Sequence, residues 1–541
     1  AYLIKNLKSY GVHPAIGESY TQPFDIQTGI RLGPANTLMI NKDTMVVNSD
    51  YLPMFFSANG KYSAEAVFVG YGFQINDKEL KWDDYEGVDV KDKWVIVMRH
   101  SPERDQPHSI YASHSPLHKK MLVAKDNGAK GIIFVSQIED EELYPLKHIS
   151  GFKNGQSPAI ILSKNRTNKI FERVGWSIKK IQDEMNQNLR PLSFQLGALN
   201  FEANINIEPV IKKGANVVGE IRSRNREFRD EYIVIGAHFD HIGMGGPGSG
   251  SRKPEADQVH PGADDNASGI GALLEIAEYL ANLLKKGLLT TKYDILVAAW
   301  SGEEIGLLGS SHFMRSHASG TKDGEDRKII AYLNLDMVGR YKEKLTLHGV
   351  GSSTAWRKLI QRANIPVGLN LNLQNDSHIP TDTTSFFAKG VPILSAFTGL
   401  HADYHSPSDT PEKINYEGIA DCSNLYVRLI EGMSRLDGMD YIAQAPPPKS
   451  RGMLRVYLGT IPDYSQTDRK GLLLSGVSKG GPADLAGLRS EDLVVELGGK
   501  KIETIYDYTD AISSLKAGKE SKVTVIRKGK TLDLRITPSA R

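Results

Sequence analysis

The α/β character of the chain is clearest in the stretch Tyr232-Ile-Val-Ile-Gly-Ala-His238-Phe-Asp240-His241, where an apolar strand ends in polar side chains. Apolar residues then recur at helical spacing between Ile270 and Leu280. Further apolar runs follow at residues 293–300, 330–335 and 391–397, with helical segments between them. Apolar strands that alternate with helices are typical of a mostly parallel sheet flanked by helices. We therefore predict an α/β domain between residues 216 and 439.

Acidic and imidazole side chains follow these strands at the points where the strands end. The motifs are Gly236-Ala-His238-Phe-Asp240-His241, Gly262-Ala-Asp-Asp265-Asn-Ala-Ser-Gly269, Trp300-Ser-Gly-Glu303-Glu304, Leu335-Asp336-Met-Val-Gly-Arg340 and, in a later loop, Tyr404-His405-Ser-Pro-Ser-Asp-Thr410. The carboxyl ends of the strands form the ligand-binding edge of an open α/β sheet. Imidazole and carboxylate are natural ligands for zinc, and they are unfavourable to bury without metal or charge partners. Each motif alone is weak, but five on one edge predict a metal site.

The ordered set of motifs resembles the co-catalytic zinc aminopeptidase family, which also contains glutamate carboxypeptidase-type enzymes. The resemblance covers roughly residues 200–440. It implies two zinc ions per chain, one held by His238 and Asp336 and the other by Glu304 and His405. Asp265 would bridge the two ions, because it directly precedes the Asn of Asn-Ala-Ser-Gly. The resemblance also implies that Asp240 orients His238, as carboxylates near metal ligands commonly do.

Two further residues are expected to act in catalysis. Glu303 is adjacent to the ligand Glu304 and is itself free of metal, so we expect it to take a proton from a metal-bridging water and give it to the leaving amine. Tyr404 precedes the ligand His405 and could donate to the tetrahedral oxyanion, with a purely structural role as the alternative.

Other polar residues near the motifs are given smaller roles. His241 is expected either to contact the ligand residues without binding metal or to be exposed, since one ligand per strand end is enough. Thr383 stands where the family's Ser-Asp-His-x-x-Phe segment has its histidine, which puts any substrate-lining role of that position in doubt. Arg340 could pair with an active-site carboxylate or contact substrate. The remaining histidines considered are expected in loops or at the surface: His260, His348, His378 and His401.

Two further modules flank the predicted α/β domain. Residues 61–194 contain short strand-like runs and Gly/Asp-rich turns and resemble a protease-associated domain, so the catalytic domain would comprise residues 1–60 and 195–442. Residues 443–450 are a Pro-rich linker. Residues 451–541 resemble a PDZ domain, with Tyr457-Leu-Gly459 as its carboxylate-binding loop and a groove helix from Tyr506 to Leu515. Such a groove would bind the C-terminus of a peptide as an added strand.

The bulk composition limits the possible partners and compartments. The chain has 541 residues, 66 basic and 64 acidic side chains and a single cysteine, Cys422. The balanced charge gives no reason to expect nucleic acid, and no apolar run approaches the roughly 18 residues of a transmembrane helix. The chain begins with Ala1, inside a predicted helix from Tyr2 to Tyr10. We expect that a signal peptide precedes it and that the protein is exported.

The sequence favours hydrolysis of the N-terminal residue of peptides but leaves alternatives open. A carboxypeptidase or dipeptidase could use the same ligands, and a glutaminyl cyclase would use one zinc on the same fold. A catalytically inactive binding scaffold is disfavoured by the intact Glu303 and ligand set. No His-Glu-x-x-His motif occurs, so a single-zinc endopeptidase of that type is excluded. The preferred side chain, the PDZ ligand and the oligomeric state are left open.

Overall fold

A computed structural model of the chain describes residues 1–540 except 77–79, 105–108, 112–113, 147–156, 225–227, 247–248, 319–327, 445–455, 463–469, 478–479, 490 and 503–504. The chain divides into two compact units, Ala1–Ile26 with Lys213–Arg541, and Gln27–Lys212. Most of the predicted Pro-rich linker lies outside the described residues. The chain opens with helix α1 (Tyr2–Tyr10), as predicted, and continues into strands β1 (His13–Pro14) and β2 (Thr21–Leu32).

The unit Gln27–Lys212 is built around a mixed sheet with helices α2 (Leu117–Asp126), α3 (Lys164–Glu172) and α4 (Ile178–Asn188). Its strands are β3 (Thr37–Ile40), β4 (Asp43–Met45), β5 (Tyr51–Pro53), β6 (Gly60–Val69), β7 (Gln74–Asn76), β8 (Lys81–Asp83), β9 (Trp94–Met98), β10 (Gly131–Val135), β11 (Ala159–Leu162) and β12 (Ser193–Ile205). The sheet order is β4-β3-β12-β6-β9-β10-β11-β5, and β7 pairs with β8. Every residue of β9, β10 and β11 is buried, because both faces of these central strands are covered.

This unit begins earlier and ends later than the predicted inserted domain of residues 61–194. Strands β3 and β4 extend its sheet through β12, and β5 pairs with β11. Residues 37–53 therefore belong to the inserted sheet and not to the catalytic domain, where the sequence prediction places them. The reason is long-range strand pairing, which local composition does not reveal.

The α/β domain contains helices α5 (Gly269–Lys285), α6 (Leu308–Ala318), α7 (Trp356–Asn364), α8 (Thr383–Phe387) and α9 (Tyr416–Met433). Its further strands are β13 (Ile207–Ile221), β14 (Phe228–His238), β15 (Tyr293–Trp300), β16 (Lys328–Leu335), β17 (Leu345–His348), β18 (Leu371–Leu373) and β19 (Ile393–Phe397). The sheet order is β1-β13-β15-β14-β16-β19-β17-β18, with β2 on β13. The central strands β15, β14, β16 and β19 are parallel, whereas β13 and β17 are antiparallel to their inner neighbours. The predicted α/β class and its four strands are confirmed.

The C-terminal part has its own apolar core and contains helices α10 (Pro482–Leu485) and α11 (Ile505–Ser514). Its strands are β20 (Val456–Tyr457), β21 (Thr460–Pro462), β22 (Leu472–Val477), β23 (Leu493–Leu497), β24 (Lys500–Lys501), β25 (Ser521–Arg527), β26 (Lys530–Ile536) and β27 (Ser539–Ala540). The antiparallel sheet runs β21-β22-β23-β25-β26, and β20 pairs with β27. The predicted groove helix corresponds to α11.

One segment, Ala263–Lys285, has the length and apolar composition of a membrane-spanning helix. It consists of α5 and the turn before it, and its inward face (Ala272, Leu273, Ile276, Ala277 and Leu280) is fully buried in the core of the α/β domain. The segment therefore has the properties of a core helix, although the sequence expectation was that no run would approach this length.

Candidate metal centre

The parallel strands bring three of the predicted motifs to one edge of the sheet. His238 is the last residue of β14 and lies in register with Trp300, the last residue of β15. Glu303 and Glu304 follow β15 after a two-residue turn, and Asp336 directly follows β16. Because β14 lies between β15 and β16, these side chains converge at the carboxyl ends of the three strands.

Asp265 is brought to the same edge by a turn, residues Ala263–Ser268, that precedes α5. The side chain of Asn266 ties this turn to the sheet: its amide nitrogen donates to the Leu335 carbonyl at 2.9 Å. Its oxygen accepts from the Gly269 and Met337 N–H groups at 3.0 and 3.2 Å. The Asp-Asn pair therefore fixes the turn against the end of β16, beside Asp336.

Two groups of potential ligands share Asp265. Nε2 of His238 lies 3.3 Å from Asp265 Oδ1 and 3.4 Å from Asp336 Oδ1. On the other side, Nε2 of His405 lies 3.2 Å from Asp265 Oδ2 and 3.1 Å from Glu304 Oε2. Asp265 thus presents one oxygen to each group, which is the arrangement implied by the resemblance. The structure brings all five predicted ligands together.

The imidazole of His405 is oriented by the backbone. Its Nδ1 lies 3.1 Å from the Gly250 carbonyl oxygen, which fixes the proton on Nδ1 and leaves Nε2 for the carboxylates. Nε2 is buried and makes no hydrogen bond of good geometry to the described residues. A ring nitrogen that faces two carboxylate oxygens in this way is suited to binding a cation between them.

The electrostatics of the cluster also fit a cation. Burial, together with nearby Asp336 and Asp382, raises the pKa of Glu303 to about 9. Burial raises the pKa of Asp336 as well. For His405, burial lowers the pKa, but Asp265 and Glu304 outweigh it and raise the pKa to about 10. The carboxylates outnumber the imidazoles, so the residues present are short of positive charge and fit bound divalent ions.

Asp240 acts through a different contact from the one predicted. The Asp240 carboxylate lies 3.9 Å from His238 Nδ1, too far for a hydrogen bond, whereas its backbone carbonyl lies 3.0 Å from that nitrogen. The carboxylate accepts from the N–H groups of Glu303 and Glu304 at 3.1 and 3.4 Å. Asp240 therefore orients His238 through its main chain and holds the two glutamates through its side chain.

Tyr404 lies within the site. Its ring stacks on that of His405 with a centroid separation of 3.9 Å, and the Arg252 guanidinium lies 5.1 Å from its centroid. Burial and the carboxylates of Asp265 and Glu304 raise the pKa of its hydroxyl, so Tyr404 carries its proton at neutral pH. A protonated hydroxyl near the ligands is able to donate a hydrogen bond to a developing oxyanion.

Asp409 is a supporting residue that the sequence did not indicate. Its Oδ2 accepts from the N–H groups of Asp264 and Asp265 at 2.9 and 3.2 Å, and its Oδ1 accepts from Arg340 at 2.9 Å. The charge of Arg340 thereby stabilises the carboxylate that holds the Asp265 turn. This contact matches the first predicted role of Arg340, pairing with a carboxylate of the site. Only the position of Asp409 after the Ser-Pro-Ser segment could have singled it out.

Asp382 is a second residue that the sequence did not assign. It is fully buried at the start of α8, and neither carboxylate oxygen has a hydrogen-bond partner among the described residues. Burial raises its pKa to about 7. Thr383, which replaces the family histidine, is buried and bonds to Thr381 at 2.8 Å.

Four histidines outside the predicted ligand set, His241, His260, His348 and His401, are buried or half-buried. His260 and His348 are buried, with 3% and 8% exposure, and neither is a surface residue. His401 contacts Asp264 at 3.1 Å. His241 is not exposed: its side chain is 10% accessible and contacts Glu304. The prediction is wrong for His348, which lies on the buried strand β17. His260 and His401 lie in loops and His241 contacts a predicted ligand, so each of these three keeps the first of its two predicted settings.

The fold and this cluster define an α/β domain with a candidate metal centre for two ions. Residues 216–430 match peptidase family M28, and residues 461–537 match the PDZ domain family. The M28 match thus lies in the α/β domain that carries the metal centre, and the PDZ match lies in the C-terminal part.

Individual relatives cover smaller parts of the chain. An aminopeptidase of Pseudomonas aeruginosa is 30% identical over 199 residues, which are 34% of this chain and 31% of that protein. The aminopeptidase YwaD of Bacillus subtilis is 27% identical over 222 residues, which are 39% of this chain and 42% of that protein. The matches thus span less than half the length of these relatives. A solved aminopeptidase from Aneurinibacillus sp. strain AM-1 aligns over 83% of this chain and 90% of its own, with 22% identity and a TM-score of 0.42.

Proposed function

We propose that this chain is a two-zinc exopeptidase that removes the N-terminal residue of peptides. The observation that carries the proposal is the position of Asp265, whose two oxygens face separate ligand groups, His238 with Asp336 and Glu304 with His405. The M28 match and the aminopeptidase names of the relatives support the same reading.

The ligands would be His238 and Asp336 for one ion, Glu304 and His405 for the other, and Asp265 for both. Bound zinc supplies Lewis-acid chemistry, polarising a carbonyl oxygen and lowering the pKa of water. Glu303 would accept a proton from the attacking water at its carboxylate and pass it to the leaving amine. The Asp240 carboxylate accepts a hydrogen bond from the backbone N–H of Glu303 and so holds Glu303 in place. Tyr404 would donate its hydroxyl proton in a hydrogen bond to the oxyanion.

The terminus that is recognised can be tested by substrate choice. We expect cleavage of an aminoacyl nitroanilide and of a free dipeptide amide, but little cleavage of the same compounds with a blocked amine. Preferential cleavage of N-blocked, C-terminally free peptides would instead identify a carboxypeptidase. Cyclisation of an N-terminal glutamine peptide without hydrolysis would identify a cyclase.

The two-ion centre can be tested independently of activity by counting zinc. We expect about two zinc ions per wild-type chain by elemental analysis, and loss of both in Asp265→Ala, because one carboxylate serves both ligand groups. A wild-type chain that holds one tightly bound ion would contradict the two-zinc centre and favour the cyclase alternative.

We also propose that the PDZ domain binds the C-termini of peptides. Gly459 has φ of +74° in the predicted carboxylate-binding loop, between β20 and β21. Beside this loop, Thr460 Oγ1 of β21 lies 2.7 Å from Tyr508 Oη of α11, the predicted groove helix. Backbone N–H groups of such a loop can bind a terminal carboxylate while the peptide adds as a strand.

A full-length Glu303→Gln chain, which should not degrade the probe, is suited to measuring this binding. Peptides with a free C-terminus should bind it better than their amidated forms, and a chain ending near residue 442 should bind neither but still hydrolyse a short aminoacyl substrate. Equal binding of free and amidated peptides would contradict the proposed carboxylate recognition.

A further inference from the structure

His241 is packed against the second group of predicted ligands. It lies three residues beyond His238, at the end of β14. Its Nδ1 is 2.7 Å from Glu304 Oε1 and 3.9 Å from Asp265 Oδ2. Its ring lies 5.5 Å from that of His405 in an edge-on arrangement. His241 can therefore act either as an additional metal ligand or as a hydrogen-bond donor to Glu304.

The distances separate these two roles. Ligand atoms about 2.0–2.1 Å from a tetrahedral zinc ion lie roughly 3.3 Å from one another. The pairs formed by His238 and His405 with their carboxylates span 3.1–3.4 Å and meet this condition. The His241–Glu304 pair at 2.7 Å is too close, and the His241–Asp265 pair at 3.9 Å is too distant. A separation of 2.7 Å is instead that of a strong hydrogen bond to a carboxylate.

The two oxygens of Glu304 point to different partners. Oε2 lies 3.1 Å from His405 Nε2, on the side that faces Asp265, whereas Oε1 faces His241. A donor on Oε1 restricts that oxygen and leaves Oε2 for an ion shared with His405. Hydrogen bonds of this kind to ligating carboxylates orient them and strengthen metal binding.

The backbone makes room for this histidine. A Cβ atom at Gly262 would lie 2.7 Å from His241 Cγ, so a larger residue there would collide with the ring. Gly262 also has φ of +59°, a left-handed conformation that glycine adopts readily. Nε2 of His241 is buried without a hydrogen-bond partner among the described residues, so Nδ1 is the nitrogen that is engaged.

We propose that His241 is a positioning residue that donates its Nδ1–H to Glu304 Oε1 and holds Glu304 as a one-oxygen ligand of the second zinc ion. This role rests on the two-zinc centre proposed above. It gives His241 a role in metal affinity. The sequence His238-Phe-Asp240-His241 alone did not indicate this role. The first ion, held by His238 and Asp336, should depend on His241 only weakly.

Three substitutions distinguish a donor from a ligand. In His241→Asn the amide N–H falls close to the position of Nδ1, whereas in His241→Gln it falls close to that of Nε2, and His241→Ala has no donor. His348→Gln is the matched control, since it removes another buried histidine, located on β17. Zinc affinity is measured by competition with a fluorescent chelator, and the ligand field by the visible absorption spectrum of the cobalt-substituted chain.

We expect His241→Ala and His241→Gln to weaken the binding of one of the two ions by about 10- to 100-fold. His241→Asn should keep most of the wild-type zinc affinity, and His348→Gln should not change it. The cobalt spectrum of the His241 variants should keep the wild-type band positions. If His241→Ala does not fold, the comparison of the Asn and Gln variants still tests the role.

Two results would overturn the inference while leaving the two-zinc centre intact. The first is unchanged affinity in the Ala and Gln variants. The second is an Asn variant that binds zinc as weakly as the Gln variant. If the cobalt spectrum also changed, His241 would be a metal ligand. A wild-type chain with a single ion would overturn both the two-zinc centre and the role of His241.

Discussion

Both units of the chain bury carboxylate side chains, but the negative charge of these carboxylates is balanced differently in the two units. In the unit Gln27–Lys212, Asp140 is 4% accessible and contacts Arg104 Nη1 at 2.9 Å and His100 Nε2 at 3.0 Å. The Gln137 N–H donates to it at 2.8 Å, and Arg99 lies 3.6 Å away. Burial raises the pKa of Asp140, but His100 and Arg99 outweigh this and bring it well below its usual range.

The metal centre has the opposite character. The pKa of Glu303 rises to about 9 and that of Asp382 to about 7, and in both cases burial is the main cause. The groups around them include further carboxylates and too few cations. A buried cluster whose negative charge is not balanced by the protein indicates a binding site for a cation, whereas a balanced cluster such as that of Asp140 indicates a structural role.

The strongest test of this contrast is Glu303→Gln. We expect turnover of an aminoacyl substrate to fall by at least about 10²- to 10⁴-fold, because the amide cannot accept a proton. Zinc content and the unfolding midpoint should be retained, since Gln is nearly isosteric and Glu303 is not a predicted ligand. The exposed Glu275→Gln on α5 serves as the control. Near-wild-type turnover in Glu303→Gln would move the general base to another group.

Asp140→Ala tests the balanced cluster. It leaves Arg99, whose side chain is 7% accessible, without its buried partner, so we expect the free energy of unfolding to fall by roughly 3 kcal/mol. Zinc content should be unchanged. In the control Asp183→Ala, an exposed pair with Lys179 is lost and urea denaturation should detect no change. A similarly small effect of Asp140→Ala would mean that its charge contacts are not stabilising.

Asp409→Ala tests the support of the bridging residue within the metal centre. Loss of the hydrogen bonds to the N–H groups of Asp264 and Asp265 should loosen the turn and weaken zinc binding by about 10-fold or more. Asp403 also contacts Arg340, at 3.4 Å, but makes no bond to that turn in the described structure. Asp403→Ala should therefore keep its zinc, and equal losses in both variants would assign the effect to Arg340 instead.

The last test concerns His348, a buried histidine on β17 that is not part of the metal centre. Burial lowers its pKa to about 4. Between pH 6.5 and 4 the unfolded chain binds a proton that the folded chain does not, so stability falls as the pH is lowered. From pH 7 to pH 5 this contributes a loss of up to about 2 kcal/mol. His348→Gln should lose less stability over that interval by urea denaturation, and an identical pH dependence would contradict the lowered pKa.

Much of the metal centre was predictable because its residues follow strands. His238, Glu304 and Asp336 each lie at or just after the carboxyl end of a parallel strand, and apolar strands are recognisable from composition. The contacts of Asp240 and His241 were not predictable in the same way. The Asp240 carboxylate lies 3.9 Å from His238 Nδ1 and so does not make the predicted hydrogen bond. Only the path of the backbone after β14 determines which atom of Asp240 meets His238 and which oxygen of Glu304 meets His241.

The sequence by itself determined the order of strands and helices in the α/β domain, the ligand-bearing motifs and the presence of a C-terminal module. These features depend on local apolar patterns and on residue chemistry, which a linear chain displays directly. The tertiary structure alone decided that residues 37–53 join the inserted sheet, that Asp409 holds the Asp265 turn and that His241 faces Glu304. Each of these depends on a contact between residues far apart in the chain, and such contacts exist only once the strands have paired and the loops have packed against their edge.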